Sequence, residues 1–424
     1  MQNRRDFLKS AGVLGAGSTL LGLAGCAGMA RASGGHVVVV GGGYGGATVA
    51  KYLRMWSEGR VSVTLIERNT EFVSCPMSNL VIGGLKNMAD ITISYDNLRT
   101  RWGVKVITDE VLALDASKRT VSTARNGVIA YDRVVLSPGI DFMSERIGGL
   151  AGNEERIPHA WKAGPQTVVL RRQLQDMKDG GVFAMHIPKA PYRCPPGPYE
   201  RACMVANYLR KEKPKSKVLV LDSNGEIQSK KALFTKAFEG YKGMIEYMPN
   251  NELRSVNAAT RTAELDFEKV KADVLNVIPP MRAGNIATQS GLPLINDRWV
   301  DVEWLGYEAR GVPGVHVIGD ALFPAPTMPK SGHMANQQAK VVAAAIINLL
   351  AGQAPNPTPV VMNTCYSFVD DKNAVHVASV HQYDDVKKQP MPVSGAGGVS
   401  VAANEIEGKF AHAWAQNIWA DMLT

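Results

Sequence analysis

His36-Val37-Val38-Val39-Val40-Gly41-Gly42-Gly43-Tyr44-Gly45-Gly46 decides how this chain folds. The β-branched run reads as a buried strand, because branching at Cβ suits a pleated surface. The glycines follow a Gly-x-Gly-x-x-Gly pattern at Gly41, Gly43 and Gly46. That pattern alone is weak, but here its setting is informative. A helix follows to about Arg54, then a second strand from Val61 to Ile66 that ends on an acid, Glu67, 21 residues beyond Gly46. Gly41 permits the tight turn, Gly43 lets a pyrophosphate approach the backbone, and Gly46 lets the helix pack on the strand. The helix N-terminus then faces the phosphates, and Glu67 would accept from a ribose hydroxyl. The stretch predicts a dinucleotide-binding unit.

Strand–helix alternation continues outward. Val104 to Thr108 and Tyr131 to Leu136 read as further strands. The pattern restarts near Pro165 with a helix from about Thr167 to Lys178, the strand Val182 to Ile187, a helix from about Pro198 to Glu212 and the strand Lys217 to Asp222. Strand Val315 to Ile318 runs into Gly319-Asp320, and a long helix covers about Gly332 to Leu350. After the breaker Pro355-Asn356-Pro357 comes a tail of short alternating strands and a last helix near Asn404 to Met422. The fold class is α/β, with two Rossmann-like dinucleotide-binding domains and a C-terminal α+β domain. The expected divisions are a signal segment at 1–32, a first dinucleotide domain at 33–160 and 279–352, a second at 161–278, and a C-terminal domain at 353–424.

The chain has 424 residues and a formal net charge of +8. Its Lys and Arg are dispersed and lack interleaved aromatics, so nucleic acid is not the expected partner. An acidic protein surface or a small anion fits the charge instead. Arg4-Arg5-Asp6-Phe7-Leu8-Lys9, leading into the apolar stretch Ala11 to Ala24, has the twin-arginine pattern and predicts export of a folded protein to the periplasm. Two cleavage sites compete: Leu23-Ala24-Gly25-Cys26, which looks like a lipoprotein box and would anchor the chain at Cys26, and Ala30-Arg31-Ala32.

Beyond that segment the cysteines are Cys75, Cys194, Cys203 and Cys365. A chain this long needs no disulfides to fold, so few cysteines in unusual settings suggest chemistry. Cys194 precedes a helix begun by Pro195-Pro196-Gly197-Pro198, where the helix dipole would lower its pKa. Cys203, with Tyr199, Ala202 and Ala206 around it, reads as a small buried hydrophobe. Spacing alone leaves a structural bridge and a redox pair equally open for Cys194 and Cys365. The loop Pro188-Lys189-Ala190-Pro191-Tyr192-Arg193-Cys194-Pro195-Pro196-Gly197 stands where a second nucleotide would need a glycine turn. Its prolines remove N–H donors, so no NAD(P)H is expected there. Lys330 is read as solvated or a phosphate neighbour.

Val317-Ile318-Gly319-Asp320 and Tyr131-Asp132-Arg133-Val134-Val135-Leu136-Ser137-Pro138-Gly139 resemble motifs of glutathione-reductase-like flavoproteins. More closely, nearly the whole mature chain resembles the flavoprotein subunit of flavocytochrome c sulfide dehydrogenase. The likeness rests on Val38 to Gly43, on the Cys75 segment with Ser78-Asn79, and on His159-Ala160-Trp161-Lys162-Ala163-Gly164. It extends to Tyr192 through Arg201, to Met328-Pro329-Lys330-Ser331-Gly332 and to Asn363-Thr364-Cys365-Tyr366. The resemblance implies FAD, with Asp320 on its ribityl chain and Cys75 in thioether linkage to the flavin. It implies a redox disulfide between Cys194 and Cys365, proton handling by Glu200, and Trp414 as an aromatic near the flavin. No resident metal is implied. Sulfide would be oxidised to sulfur or polysulfide and the electrons passed to a c-type cytochrome on another chain, since Cys-x-x-Cys-His is absent here. A sulfide:quinone oxidoreductase and a non-catalytic flavin electron-transfer subunit are the alternatives. A quinone enzyme would meet the membrane through its C-terminal helix, but the Phe410, Trp414 and Ile418 stripe reads as core rather than membrane contact.

Overall fold

The computed structural model describes Gly34–Thr424. The twin-arginine stretch, Cys26 and both cleavage sites lie outside the described residues. The opening valines do form a strand, His36–Val40, and Val37, Val38 and Val39 are fully buried. It lies between Ser62–Glu67 and Arg133–Leu136, parallel to both. A strand covered on both faces needs no polar alternation, which explains the uninterrupted valines. Lys105–Thr108 extends this sheet on one side. On the other side Val315–Val317 pairs in parallel with Arg133–Leu136. The chain therefore leaves the first sheet for well over a hundred residues and returns to complete it. Two short antiparallel strands, Glu308–Ala309 and Val302–Glu303, finish that edge.

The excursion builds a second sheet, entirely parallel, in the order Ile245–Pro249, Lys217–Asp222, Val182–Ile187, Val274–Val277. The helix expected from Thr167 starts at Pro165, a residue preorganised for the first helical position. The helix expected from Pro198 starts at Gly197 and runs to Glu212.

The C-terminal strands are not short. Val360–Phe368, Ala374–Asp384 and Gln389–Val399 form one antiparallel sheet. A register shift between Ser379 and His381, and the positive-φ glycines Gly395, Gly397 and Gly398, break the alternation that would otherwise signal long strands. Helix Gly332–Leu350 opens on Ser331, whose hydroxyl accepts from Met334 N, and packs along Tyr44–Trp56. The last helix, Glu405–Leu423, opens on Asn404. Lys51 closes it by donating to the carbonyls of Ala420 and Asp421. Ile418, Trp419 and Met422 are core, as expected, but Phe410 is not: it is 54% exposed. Among the described residues no helix is long and apolar enough to cross a membrane.

Candidate active site

A cavity of about 1030 Å³ runs between the first sheet, the second sheet and the C-terminal element. Gly41, Gly43, Glu67, Cys75, Cys194, Glu200, Asp320, Cys365 and Trp414 all stand on its wall. Gly46 does not, because it serves the turn itself: a Cβ there would lie 1.7 Å from Gly41 O. Gly41 has φ +95°, and a Cβ on it would meet Ser137 O at 2.4 Å. Around Gly43 there is open space, and as N-cap it leaves the first turn of Tyr44–Trp56 without a side-chain cap. Those N–H groups suit an anion. Glu67 accepts from Gly42 N at 2.6 Å and from Asn69 N at 2.9 Å, and keeps further lone pairs for a hydroxyl donor.

Asp320 tests the fit of a flavin dinucleotide further along. Its Oδ1 is buried without a partner, and burial raises its pKa against the pull of Arg193 and Lys330. An orphaned acceptor on a cavity wall is what a polyhydroxyl chain would satisfy. Trp414 Nε1 is a second buried group without a partner on the residues lining the cavity. The residues present therefore fit FAD: Gly41 to Gly46 and Glu67 at the adenosine and phosphates, Asp320 at the ribityl chain.

Lys330 is neither solvated nor free to contact phosphate. It is buried, its Nζ donates to the carbonyls of Asp320 (2.9 Å) and Leu322, and it lies 3.7 Å over the Trp299 ring. Burial lowers its pKa to about 7. Its own carbonyl accepts from Cys194 N at 2.9 Å, so one residue ties the Asp320 turn to the cysteine loop.

Cys75 meets the cavity beside a cationic group. Ala163 N donates to its Sγ at 3.3 Å, and Arg193 borders it. Burial, with Arg201, Lys162 and Arg193 around it, holds His159 neutral, down to about 3. The Cys75 loop is pinned from below: Trp419 Nε1 donates to the Tyr44 hydroxyl at 3.1 Å, and that hydroxyl lies 2.7 Å from Ser74 Oγ.

Cys194, on a strained φ of 57°, and Cys365, on Val360–Phe368, belong to the same wall. All four described cysteines are free thiols here. Glu200 joins them, accepting from Phe368 N at 2.8 Å and from Asn79 Nδ2 at 2.8 Å. The helix dipole does not lower Cys194. Burial raises its pKa well above the usual thiol range, and the nearby Cys365 and Glu200 add to the rise. Desolvation outweighs a helix end three residues away. Burial raises Glu200 as well, and raises Cys365 against the lowering influence of Lys230, Asn363 and Ser331. Cys203 is fully buried in the core, as expected.

Three neighbours went unread in the sequence: Arg193, Arg201 and Lys230. Arg193 and Arg201 lie inside the proline-cysteine stretch, and two arginines flanking a cysteine there were an available signal. Lys230 lies in a polar loop with no pattern to mark it. Arg201 is almost fully buried, donating to Asn79 Oδ1 (3.0 Å), His159 O (2.8 Å), Asn276 Oδ1 (2.9 Å) and Ala160 O. It joins the short helix Ser78–Ile82, which follows Cys75, to the segment leading into the second sheet. Arg201→Met would strand these acceptors, and is expected to lower stability by about 3 kcal/mol or more in denaturant unfolding. A loss below about 1 kcal/mol would show the network to be dispensable.

A two-segment dinucleotide sheet followed by a second parallel sheet defines the pyridine nucleotide-disulphide oxidoreductase class, and residues 35–176 match the family model of that description. Residues 167–279 match the central region of the sulfide dehydrogenase [flavocytochrome c] flavoprotein chain, and residues 357–423 the flavocytochrome c sulphide dehydrogenase flavin-binding region. The chain belongs to this family. It is 62% identical over 46 residues to the sulfide dehydrogenase [flavocytochrome c] flavoprotein chain of Chlorobaculum thiosulfatiphilum, which covers 94% of that relative and 11% of this chain. It is 24% identical to the mitochondrial sulfide:quinone oxidoreductase of Mus musculus over 309 residues, 67% of this chain and 65% of the relative. The Dictyostelium discoideum counterpart is 23% identical, with 58% of its length spanned. The chain thus spans somewhat less than two thirds of these two relatives. The sulfide:quinone oxidoreductase structure from Aquifex aeolicus shares the fold, with TM-score 0.75 at 20% identity and 91% of both chains covered.

Proposed function

We propose that this chain oxidises sulfide through a Cys194–Cys365 disulfide, with FAD tethered at Cys75 and a c-type cytochrome as electron acceptor. The observation that carries the reading is one cavity lined by Cys194, Cys365 and Glu200 together with the Gly41–Glu67 nucleotide cradle, Cys75 and Asp320. Hydrosulfide attacks one sulfur of the disulfide. The S–S bond breaks, a persulfide forms on the attacked cysteine and a thiolate is left on the other. Glu200, its pKa raised by burial, is the group on this wall that would take up or return a proton as charge changes. A bound flavin supplies acceptance of the electron pair and its release one electron at a time. The product is sulfur or polysulfide.

The second sheet carries no nicotinamide reading. The acid at the end of Lys217–Asp222 is already engaged, since Asp222 Oδ2 accepts from the Tyr199 hydroxyl (2.8 Å) and the Tyr247 hydroxyl (2.9 Å). Pro188, Pro191, Pro195 and Pro196 have no N–H, and the N–H groups of Ala190, Arg193, Cys194 and Gly197 are already bonded within the protein. Anaerobic NADH or NADPH is therefore expected to leave the flavin absorbance unchanged while sulfide bleaches it. Bleaching by either nucleotide at a comparable rate would refute this.

The likeness to sulfide:quinone oxidoreductases favours a second reading, with quinone as the acceptor. Reduction of cytochrome c but not of a soluble quinone analogue supports the first, and the reverse supports the second. Export by the twin-arginine route to the periplasm belongs to the proposal. Lipid attachment at Cys26 is checked by the mass of the mature N-terminal peptide.

A further inference from the structure

In a nucleotide-binding unit the segment after the second strand attends the ribose. Here it does something else. Asp222 is sealed by Tyr199, Tyr247 and Asn224. The chain beyond it delivers Lys230, in left-handed backbone with φ 54°, to the strand that carries Cys365. Its Nζ donates to Cys365 O at 3.0 Å, Ser367 Oγ at 2.9 Å and Val375 O at 3.3 Å. All three partners are neutral, yet Lys230 is only 8% exposed. A buried ammonium ordinarily carries a contacting carboxylate. Here the groups facing it are, in order of influence, Cys365 on the strand above, Glu200 and Cys194 on the Gly197–Glu212 helix and the loop before it, and Glu407 on the last helix. Glu200 is held by Phe368 and Asn79, and Glu407 by His376 and Ser400. The site therefore holds a buried cation near two cysteines that are neutral as a disulfide and carry one thiolate once HS⁻ opens it.

We infer that Lys230 is a positioning residue that supplies the counter-charge for the thiolate released when the Cys194–Cys365 disulfide opens. The inference rests on the proposed reading of that pair as a redox disulfide. When HS⁻ adds to one sulfur, the S–S bond breaks with its electron pair on the other. The sulfide sulfur is oxidised to the persulfide level, the disulfide is reduced, and the single negative charge passes from HS⁻ to the departing thiolate. That charge arises in a desolvated site, where a fixed cation favours the charged form. Burial brings Lys230 down to about 8, so it remains mainly charged at neutral pH.

The full, flavin-loaded chain is equilibrated in mixtures of reduced and oxidised dithiothreitol, quenched by alkylation, and the Cys194–Cys365 pair read by peptide mass. Lys230→Gln keeps an N–H donor without the charge, and Lys230→Arg keeps the charge. Lys230→Gln is expected to move the mid-point at least tenfold toward reducing mixtures, about 30 mV for this two-electron couple. Lys230→Arg is expected to stay within threefold of wild type. A Lys230→Gln mid-point within twofold of wild type, or equal shifts in both variants, overturns the inference. The reduced wild-type protein gives a reading that needs no variant. In the pH profile of alkylation Cys365, whose carbonyl accepts from Lys230, is expected to ionise below Cys194, and an equal or reversed order overturns the inference too. Should wild type form no disulfide under oxidised dithiothreitol, the functional reading fails first. A wild-type disulfide whose mid-point ignores Lys230→Gln sinks this inference alone.

Discussion

Cys194→Ser is expected to slow sulfide-driven bleaching of the flavin by about a thousandfold or more, as when the covalent centre of a catalytic unit is removed. Cys365→Ser should do the same, and the double variant no worse, because the two sulfurs act as one bond. Either change deletes the S–S bond that hydrosulfide must break. The sulfur left behind does not compensate. A lone Cys194 or Cys365 offers hydrosulfide no S–S bond to break, and burial raises the pKa of each thiol. Cys203→Ala is the matched control: Cys203 is in the core and off the cavity wall, so it should lose some stability and little rate. Anaerobic stopped-flow mixing with sulfide measures all four. A Cys194→Ser rate within tenfold of wild type would mean that sulfide reaches the flavin without the disulfide.

The sequence is most legible where backbone geometry leaves one solution. Gly41 at φ +95° and Gly46 against Gly41 O admit no side chain, so the glycine spacing shows directly in the chain. The buried strands are equally plain: Val182–Ile187 and Lys217–Asp222 run between the residues expected. Legibility fails where burial is settled by distant elements. Nothing local marks Lys230 or Lys330 as buried, because the residues covering them come from other segments: Cys365, Ser367 and Val375 for one, Trp299 and the Asp320 turn for the other. The Cys194 error has the same origin. A helix start is local and readable, while the burial that overrides it involves distant segments, among them Cys365 and Lys330, whose carbonyl accepts from Cys194 N. Phe410 fails differently: helical spacing identifies a stripe, but not where along its length the stripe leaves the core.

Cys75→Ala is expected to change the fate of the flavin more than its binding. In the wild-type protein, flavin should stay with the polypeptide after acid precipitation and add its mass to the peptide holding Cys75. In the variant all of it should appear in the supernatant. The native variant should still load flavin, because the cradle does not depend on that sulfur. Gly41 to Gly46, Glu67 and the unpartnered Asp320 Oδ1 stand on elements fixed by the first sheet. The Cys75 loop itself is held by the Tyr44–Ser74 contact and by Ser78 Oγ, which donates to Cys75 O at 2.6 Å; neither uses Sγ. Ala163 N donates to the Cys75 sulfur at 3.3 Å and Arg193 lies beside it. Neutralising Arg193 removes the cation beside the reacting sulfur and should slow tether formation during loading without abolishing it, a partial effect beside the complete one at Cys75. Flavin freed from denatured wild-type protein as readily as from Cys75→Ala would eliminate the tether, and leave Cys75 as a thiol that lines the cavity beside a non-covalent cofactor.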